Sequence, residues 1–421
     1  MNQTRTEIMQ NVFLTYLPAQ KFKTSYLSAQ FVTPLRKETA SLNALLPAVL
    51  HRGTMRCPDM IQLSAAMDRL YGAQIDFTIR KKSETQCIGF VASVIDDQYA
   101  PGGERLLEPT AKLLGEFLLD PVTRGGRFLS EYVESEKRNL IDGIRSIRND
   151  KRDWADLRLM QEMCAKEPYG VRRLGDEESA AHINNIKLYD HAQHMMSTSR
   201  LELFYYGSAE QQRVIDALLD AFVLLPRGAV EDLPAPIRLA APETPRIITE
   251  EMDVTQGKLS MGFRTDSDDV PAMIMANLLF GGSSNSKLFL NVREKLSLCY
   301  YASSSYARSK GIMTVSSGIE TKNYDRAYAE ILHQLEAVQK GEWEDWEIPG
   351  ARSTILSSLA AMPDGQGAME NWFLGQNATG QNETPEEMAR QLREVTPERI
   401  QRAAQSLRLD TVYFLKGKEE A

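Results

Sequence analysis

The sequence is poor in the residues that most often build a site on their own. It has four cysteines and five histidines in 421 residues. Cys57, Cys87, Cys164 and Cys299 are scattered, without a C-x-x-C pair. That spacing excludes the disulfide framework of a small secreted domain and fits free thiols in a reducing compartment, so a cytoplasmic location is expected. With only His51, His182, His191, His194 and His333, few acid–base or metal sites can exist. No stretch approaches the roughly 20 consecutive apolar residues of a membrane span. The opening segment, Met1 to Val12, lacks the apolar core of a secretory leader, and no membrane partner is expected. There is no long basic block, and the net charge is -8, which argues against nucleic acid as a partner. A G-x-S-x-G elbow, a phosphate-binding loop and a dinucleotide fingerprint are all absent.

What is present is length and internal repetition. The chain is too long for one ordinary domain and suits two of about 200 residues. Its 43% hydrophobic content supplies apolar material for two cores. Pro226, Pro234, Pro236, Pro242 and Pro245 interrupt any regular element, so a semi-extended spacer is expected there. The expected division is therefore 1–225, a linker at 226–246, and 247–421.

The two flanks carry one pattern twice. In the first, a strand at Tyr26 to Thr33 leads into helical sequence, and a second helix follows at Asp59 to Tyr71. A hairpin then alternates Ile75, Phe77 and Ile79, turns at Lys81 to Glu84 and returns through Cys87 to Ile95. In the second flank the order is a strand at Lys258 to Thr265 and helices at Pro271 to Phe280 and Lys287 to Leu296. A hairpin of Cys299 to Tyr306 and Ile312 to Ile319 completes the match. Each half closes with a helix and a short apolar strand ending in Gly207 or Gly417. The expected fold class is α+β: two tandem homologous domains, each an antiparallel-rich sheet with helices packed on one face.

Candidate chemistry is sparse. His191 and His194 form H-x-x-H on a predicted helix, but zinc needs two further ligands and Asp190 is the only carboxylate nearby. Gly281-Gly282-Ser283-Ser284-Asn285-Ser286 precedes a helix; it is either a flexible turn ending in a Ser or Asn cap or an anion-binding turn. Cys164 and Cys299 have no adjacent histidine to hold a thiolate.

One segment gives these pieces a context. Ala44-Leu45-Leu46-Pro47-Ala48-Val49-Leu50-His51-Arg52-Gly53-Thr54 resembles the first active-site helix of the pitrilysin/insulinase zinc peptidases, which carries H-x-x-E-H shortly before a Gly-Thr pair. The resemblance puts Ala44 and Ala48 at the two zinc-binding histidines and Pro47 at the general-base glutamate. Methyl groups cannot coordinate a metal and proline cannot accept a proton, so this motif is disabled. Glu136-Lys137-Arg138-Asn139-Leu140-Ile141-Asp142-Gly143-Ile144 resembles the segment bearing the third ligand, with Gly143 at the ligand position. Asp142 is adjacent, but on a helix it points about 100° away.

The resemblance extends into the second half. Ser286-Lys287-Leu288-Phe289-Leu290-Asn291-Val292-Arg293-Glu294-Lys295-Leu296-Ser297-Leu298-Cys299-Tyr300-Tyr301 is similar to the family's C-terminal signature. There an Arg at a helix end and a Tyr on the next strand face the substrate, and Arg293 and Tyr300 match them. A zinc motif lost beside an Arg/Tyr pair kept resembles the non-catalytic partner of two-chain members such as the mitochondrial processing peptidase. The resemblance implies no catalytic residue and no cofactor in this chain, with zinc expected only in a partner. That partner would be a zinc-bearing homologous subunit, and the ligand an unstructured peptide. The alternatives are a stand-alone scaffold or homodimer that keeps the fold for binding, and an active hydrolase with an unrecognised site.

Overall fold

In the computed structural model, which describes residues 3–417, the repeat is written in the order of the strands. The first half contributes β1 (Thr4–Met9), β2 (Val12–Pro18), β3 (Thr24–Pro34), β4 (Gln74–Lys82) and β5 (Thr85–Ile95). A minor hairpin follows, β6 (Thr123–Arg124) with β7 (Arg127–Phe128), and β8 (Arg200–Gly207) ends this half. The second half supplies β9 (Arg246–Met252), β10 (Gly257–Arg264), β11 (Cys299–Ala307), β12 (Ile312–Ile319) and β13 (Arg408–Gly417).

The first sheet runs β4-β5-β3-β8-β2-β1 and the second β11-β12-β10-β13-β9. Apart from β1 the two orders match strand for strand. The senses match too: every neighbouring pair is antiparallel except β2 with β8 and β13 with β9, which are parallel. The α+β class and the doubled sheet read from the sequence are therefore what the chain adopts.

Each sheet buries both faces, by different means. In β3, Leu27, Ala29 and Phe31 enter the main core with Leu45 and Leu46 of the helix Lys37–Leu50 and Leu114 and Phe117 of the helix Leu107–Leu119. The alternate residues, including Ser28 and Val32, point the other way. That face is covered by the helix Gln366–Ala378 from near the end of the chain. Leu374 and Ala378 pack on Val32 and Cys87, and Glu370 accepts a hydrogen bond from Ser28 Oγ at 2.8 Å. Arg80 closes on the same carboxylate through both guanidinium nitrogens, at 2.5 and 2.8 Å.

The second sheet repeats the arrangement with a helix from the first half. Trp154, Ala155 and Leu159 of the helix Lys151–Met163 pack on Tyr413 and Leu415 of β13. Gly262 of β10 lets that helix approach: a Cβ there would stand 2.5 Å from Met163 Sδ. The compact units consequently do not follow one cut in the sequence. One holds the chain up to Arg145 with Val171–Ala235 and Gly365–Asn382; the other holds Ser146–Gly170, Pro236–Asp364 and Glu383 onward. The contiguous division at 226–246 misses this because each half lends a helix to the other's sheet. From 226 to 245 the chain has no helix or strand, as its prolines suggest.

Buried charge fixes the second of these helices. Just beyond it, Glu167 accepts from Lys310 Nζ at 2.8 Å and Arg264 Nη2 at 2.5 Å, and Arg264 Nε reaches Asp410 at 2.7 Å. Lys310 lies in the β11–β12 turn, where a lysine would ordinarily be solvated, yet its side chain is 0% exposed.

Candidate functional site

The positions that the resemblance aligns with a zinc site lie on two helices. Ala44 and Pro47 are buried and Ala48 is partly buried on the helix Lys37–Leu50. The helix runs through Pro47 rather than stopping there, although proline offers no N–H to the carbonyl of Asn43. His51, one residue past the helix, is not a displaced ligand. Its Nε2 lies 2.9 Å from the Ile75 carbonyl, and its ring packs near Phe90 and Phe117. Gly143 sits in the helix Ser130–Ser146 and is exposed; a Cβ there would meet nothing within 4 Å.

Two methyl groups, a pyrrolidine ring and a hydrogen atom offer no donor to a metal. The residues present do not fit zinc. Among the described residues, no group of three or more His, Cys, Asp or Glu is arranged to hold a metal ion.

The H-x-x-H pair is split by its surroundings. His191 is partly buried, and its Nε2 lies 2.7 Å from Asn43 Oδ1. Asn43 in turn donates to Gln86 Oε1 at 2.9 Å. Burial, with smaller contributions from His194 and Lys187, pushes His191 down to about 4, so it is a neutral donor at physiological pH. His194 is exposed. The two histidines of the H-x-x-H pair therefore sit in different environments. His191 is a structural link between its own helix and the helix Lys37–Leu50.

The Arg/Tyr signature lies in the second unit. Leu288–Lys295 is wound as a π-helix, with i to i+5 bonding such as Leu296 N–H to Asn291 O at 3.0 Å. Such segments are rare and cluster at functional sites. Ser297, at φ 50, then turns the chain into β11. Arg293 is partly exposed; its guanidinium lies 4.7 Å from the Phe289 ring, and Nε is 3.6 Å from Glu294. That pair is too solvated to hold the side chain firmly. Tyr300 is 65% exposed, whereas its neighbour Tyr301 is the packed residue of this strand end.

Beside these residues is a hollow of about 380 Å³, lined by Arg152, Gly281, Gly282, Ser283, Arg293 and Tyr301 among others. The Gly-rich turn and Arg293 were legible as separate candidates. Arg152 was not, because it comes from the helix that the first half lends to the second sheet. Its only sequence signal is an Arg in a first helical turn, where a cation is unfavourable to the dipole.

Residues 182–355 match the family model described as "Peptidase M16 inactive domain". The chain is 36% identical over 409 residues to the probable inactive metalloprotease YmfF of Bacillus subtilis (strain 168), covering 96% of this chain and 95% of that one. This chain belongs to the M16 peptidase family. It is an inactive, peptidase-like member, as the pitrilysin/insulinase resemblance of its sequence implies. Among solved structures, a conserved protein from Enterococcus faecalis V583 superimposes with a TM-score of 0.91 at 27% identity, over 100% of both chains. A peptidase M16 inactive domain from Pseudomonas fluorescens shares the fold, with a TM-score of 0.81 at 16% identity over 100% of this chain and 99% of that one. No helix among the described residues of this M16 chain is long and apolar enough to cross a membrane.

Proposed function

We propose that this inactive M16 chain is the non-catalytic half of a two-chain peptidase. In that assembly a zinc-bearing homologous chain supplies the metal, and this chain presents Arg293 and Tyr300 to the bound peptide. The observation that carries the proposal is an asymmetry of loss. Every zinc position of the first half is replaced by a residue without a donor, while Arg293 and Tyr300 both reach solvent in a π-helix and edge-strand setting. A guanidinium and a phenol there have little structural duty and suit the backbone and developing oxyanion of a peptide. β11 is the terminal strand of its sheet, so an extended peptide can add to it through backbone hydrogen bonds.

The test is association. The purified chain is mixed with a zinc-bearing M16 homologue from the same organism at micromolar concentration and run on a sizing column with light scattering. Co-elution as a one-to-one complex supports the proposal. Separate elution, or a homodimer that excludes the homologue, refutes it in favour of a stand-alone scaffold.

A further inference from the structure

We propose that the hollow beside β11 is a subsite for a carboxylate of the bound peptide, with Arg152 as its principal ligand; the inference rests on the peptide-binding reading of this face. Arg152 occupies the first turn of the helix Lys151–Met163. Its guanidinium lies 4.3 Å from the Tyr301 ring centroid, and Nη2 donates to Ser303 Oγ at 3.2 Å. Tyr301 and Ser303 therefore aim the group into the hollow while leaving most of its donors unspent.

Asp156 attracts Arg152 electrostatically, but among the described residues no carboxylate is in ion-pair contact with it. Asp150 is engaged as the cap of the same helix, accepting from the N–H groups of Arg152 and Asp153 at 2.9 and 3.1 Å. Asp156 is turned to Ser260, whose hydroxyl donates to it at 2.6 Å. The second arginine of the hollow, Arg293, has only the solvated contact with Glu294 at 3.6 Å. A third cation, Lys258, lies 5.7 Å from the Tyr301 ring. Burial lowers the pKa of that lysine, and Arg152 adds to the lowering against the pull of Asp150. An arriving anion would relieve this crowding of positive charge.

The backbone says where along a peptide the carboxylate belongs. Ser304 N–H is bonded to the Gly281 carbonyl at 2.9 Å, which closes the outer edge of β11 at that point. A Cβ on Gly281 would stand 2.7 Å from Ser304 N, so the close approach requires glycine. A peptide added to β11 from the exposed Tyr300 end must leave the edge there, beside Arg152 and the Ser283 and Ser284 hydroxyls. A C-terminal carboxylate or an acidic side chain supplies the complementary group, since guanidinium binds carboxylate with two parallel hydrogen bonds.

The experiment uses the full chain and short unstructured fluorescent peptides read by anisotropy. A peptide bearing two glutamates is compared with its glutamine counterpart, each with a free or amidated C-terminus. The expected result is binding of an anionic peptide about ten-fold tighter than that of the amidated glutamine peptide, the scale of one charge-assisted hydrogen bond. Arg152→Gln should abolish that preference while leaving the circular dichroism spectrum unchanged. Retention of the preference on amidation assigns the acidic side chain as its source, and loss on amidation assigns the C-terminus. Equal affinity for all four peptides overturns the inference and leaves peptide binding standing. A preference that persists in Arg152→Gln also overturns it, and failure of all four to bind overturns the peptide reading itself.

Discussion

Neutralising Glu167 is expected to destabilise the second unit strongly. The Glu167 carboxylate is 0% exposed and lies 2.8 Å from Lys310 Nζ and 2.5 Å from Arg264 Nη2. Glu167→Gln keeps the shape and removes the charge that two buried cations share, whereas Asp410 still serves Arg264 at 2.7 Å. Breaking such a network at one member costs about 3–5 kcal/mol, because the surviving charges stay desolvated. At about 2–4 °C per kcal/mol for a unit of this size, the melting transition should fall by roughly 6–20 °C. Differential scanning calorimetry reads the shift. The double variant Glu167→Gln with Lys310→Met should recover part of it, since removing the buried ammonium along with its partner is cheaper than stranding it. The pH dependence follows from the same contacts. Burial pushes Glu167 up, but its bonds to Lys310 and Arg264 outweigh this and hold it below the ordinary 4.5. A carboxylate depressed in the folded state stabilises fully above its unfolded value, so this contribution should disappear as the pH falls below 4.5. A loss under about 1 kcal/mol for Glu167→Gln would refute the argument that this network fastens the lent segment.

Three further outcomes follow from other parts of the fold. His191, pushed down from 6.5 to about 4, is neutral in the folded chain, so stability should decline as the pH falls through that window, by up to about 3 kcal/mol. Urea midpoints at the two ends of the window, compared between the native chain and His191→Gln, measure this; the variant should lose most of the slope. Gly143→Ala should stabilise by about 1 kcal/mol, since the residue is in a helix interior with open space around it. The same substitution at Gly115 should destabilise, because the new Cβ would lie 2.4 Å from the Ala221 backbone oxygen; thermal melts of the two variants should move in opposite directions.

Much of this was legible in the sequence, and the failures have a common cause. The β3, β5 and β10 cores show the alternation of a packed strand, and the hairpins announce themselves through their turns. The mismatch to the family's zinc motif was the easiest feature to read, because it rests on the identities of Ala44, Pro47, Ala48 and Gly143 and needs no geometry. β1 carries almost no apolar residues and is mostly exposed, so it leaves no hydrophobic pattern to find. The lent helices escaped for a different reason. Ser28 and Ser260 look like the solvent face of a strand, yet their partners Glu370 and Asp156 lie 342 and 104 residues away. Arg264 in β10 and Asp410 in β13 were the available clue, since charges inside such strands imply buried partners. The π-helix at Arg293 is indistinguishable from an α-helix by residue spacing over a single short segment, and Arg152 reaches the hollow only through the helix exchange.

In the proposed pairing, this chain contributes to peptide turnover only beside the metal of its partner. The direct measurement is cleavage of an unstructured peptide by the zinc-bearing homologue alone, by this chain alone, and by the two together with native chain or Arg293→Ala. No turnover is expected from this chain alone, and enhanced turnover from the pair. The enhancement should fall at least ten-fold with Arg293→Ala while the complex remains intact on the sizing column. Chelator-resistant cleavage by this chain alone, or a pair indifferent to Arg293, would contradict the proposed pairing.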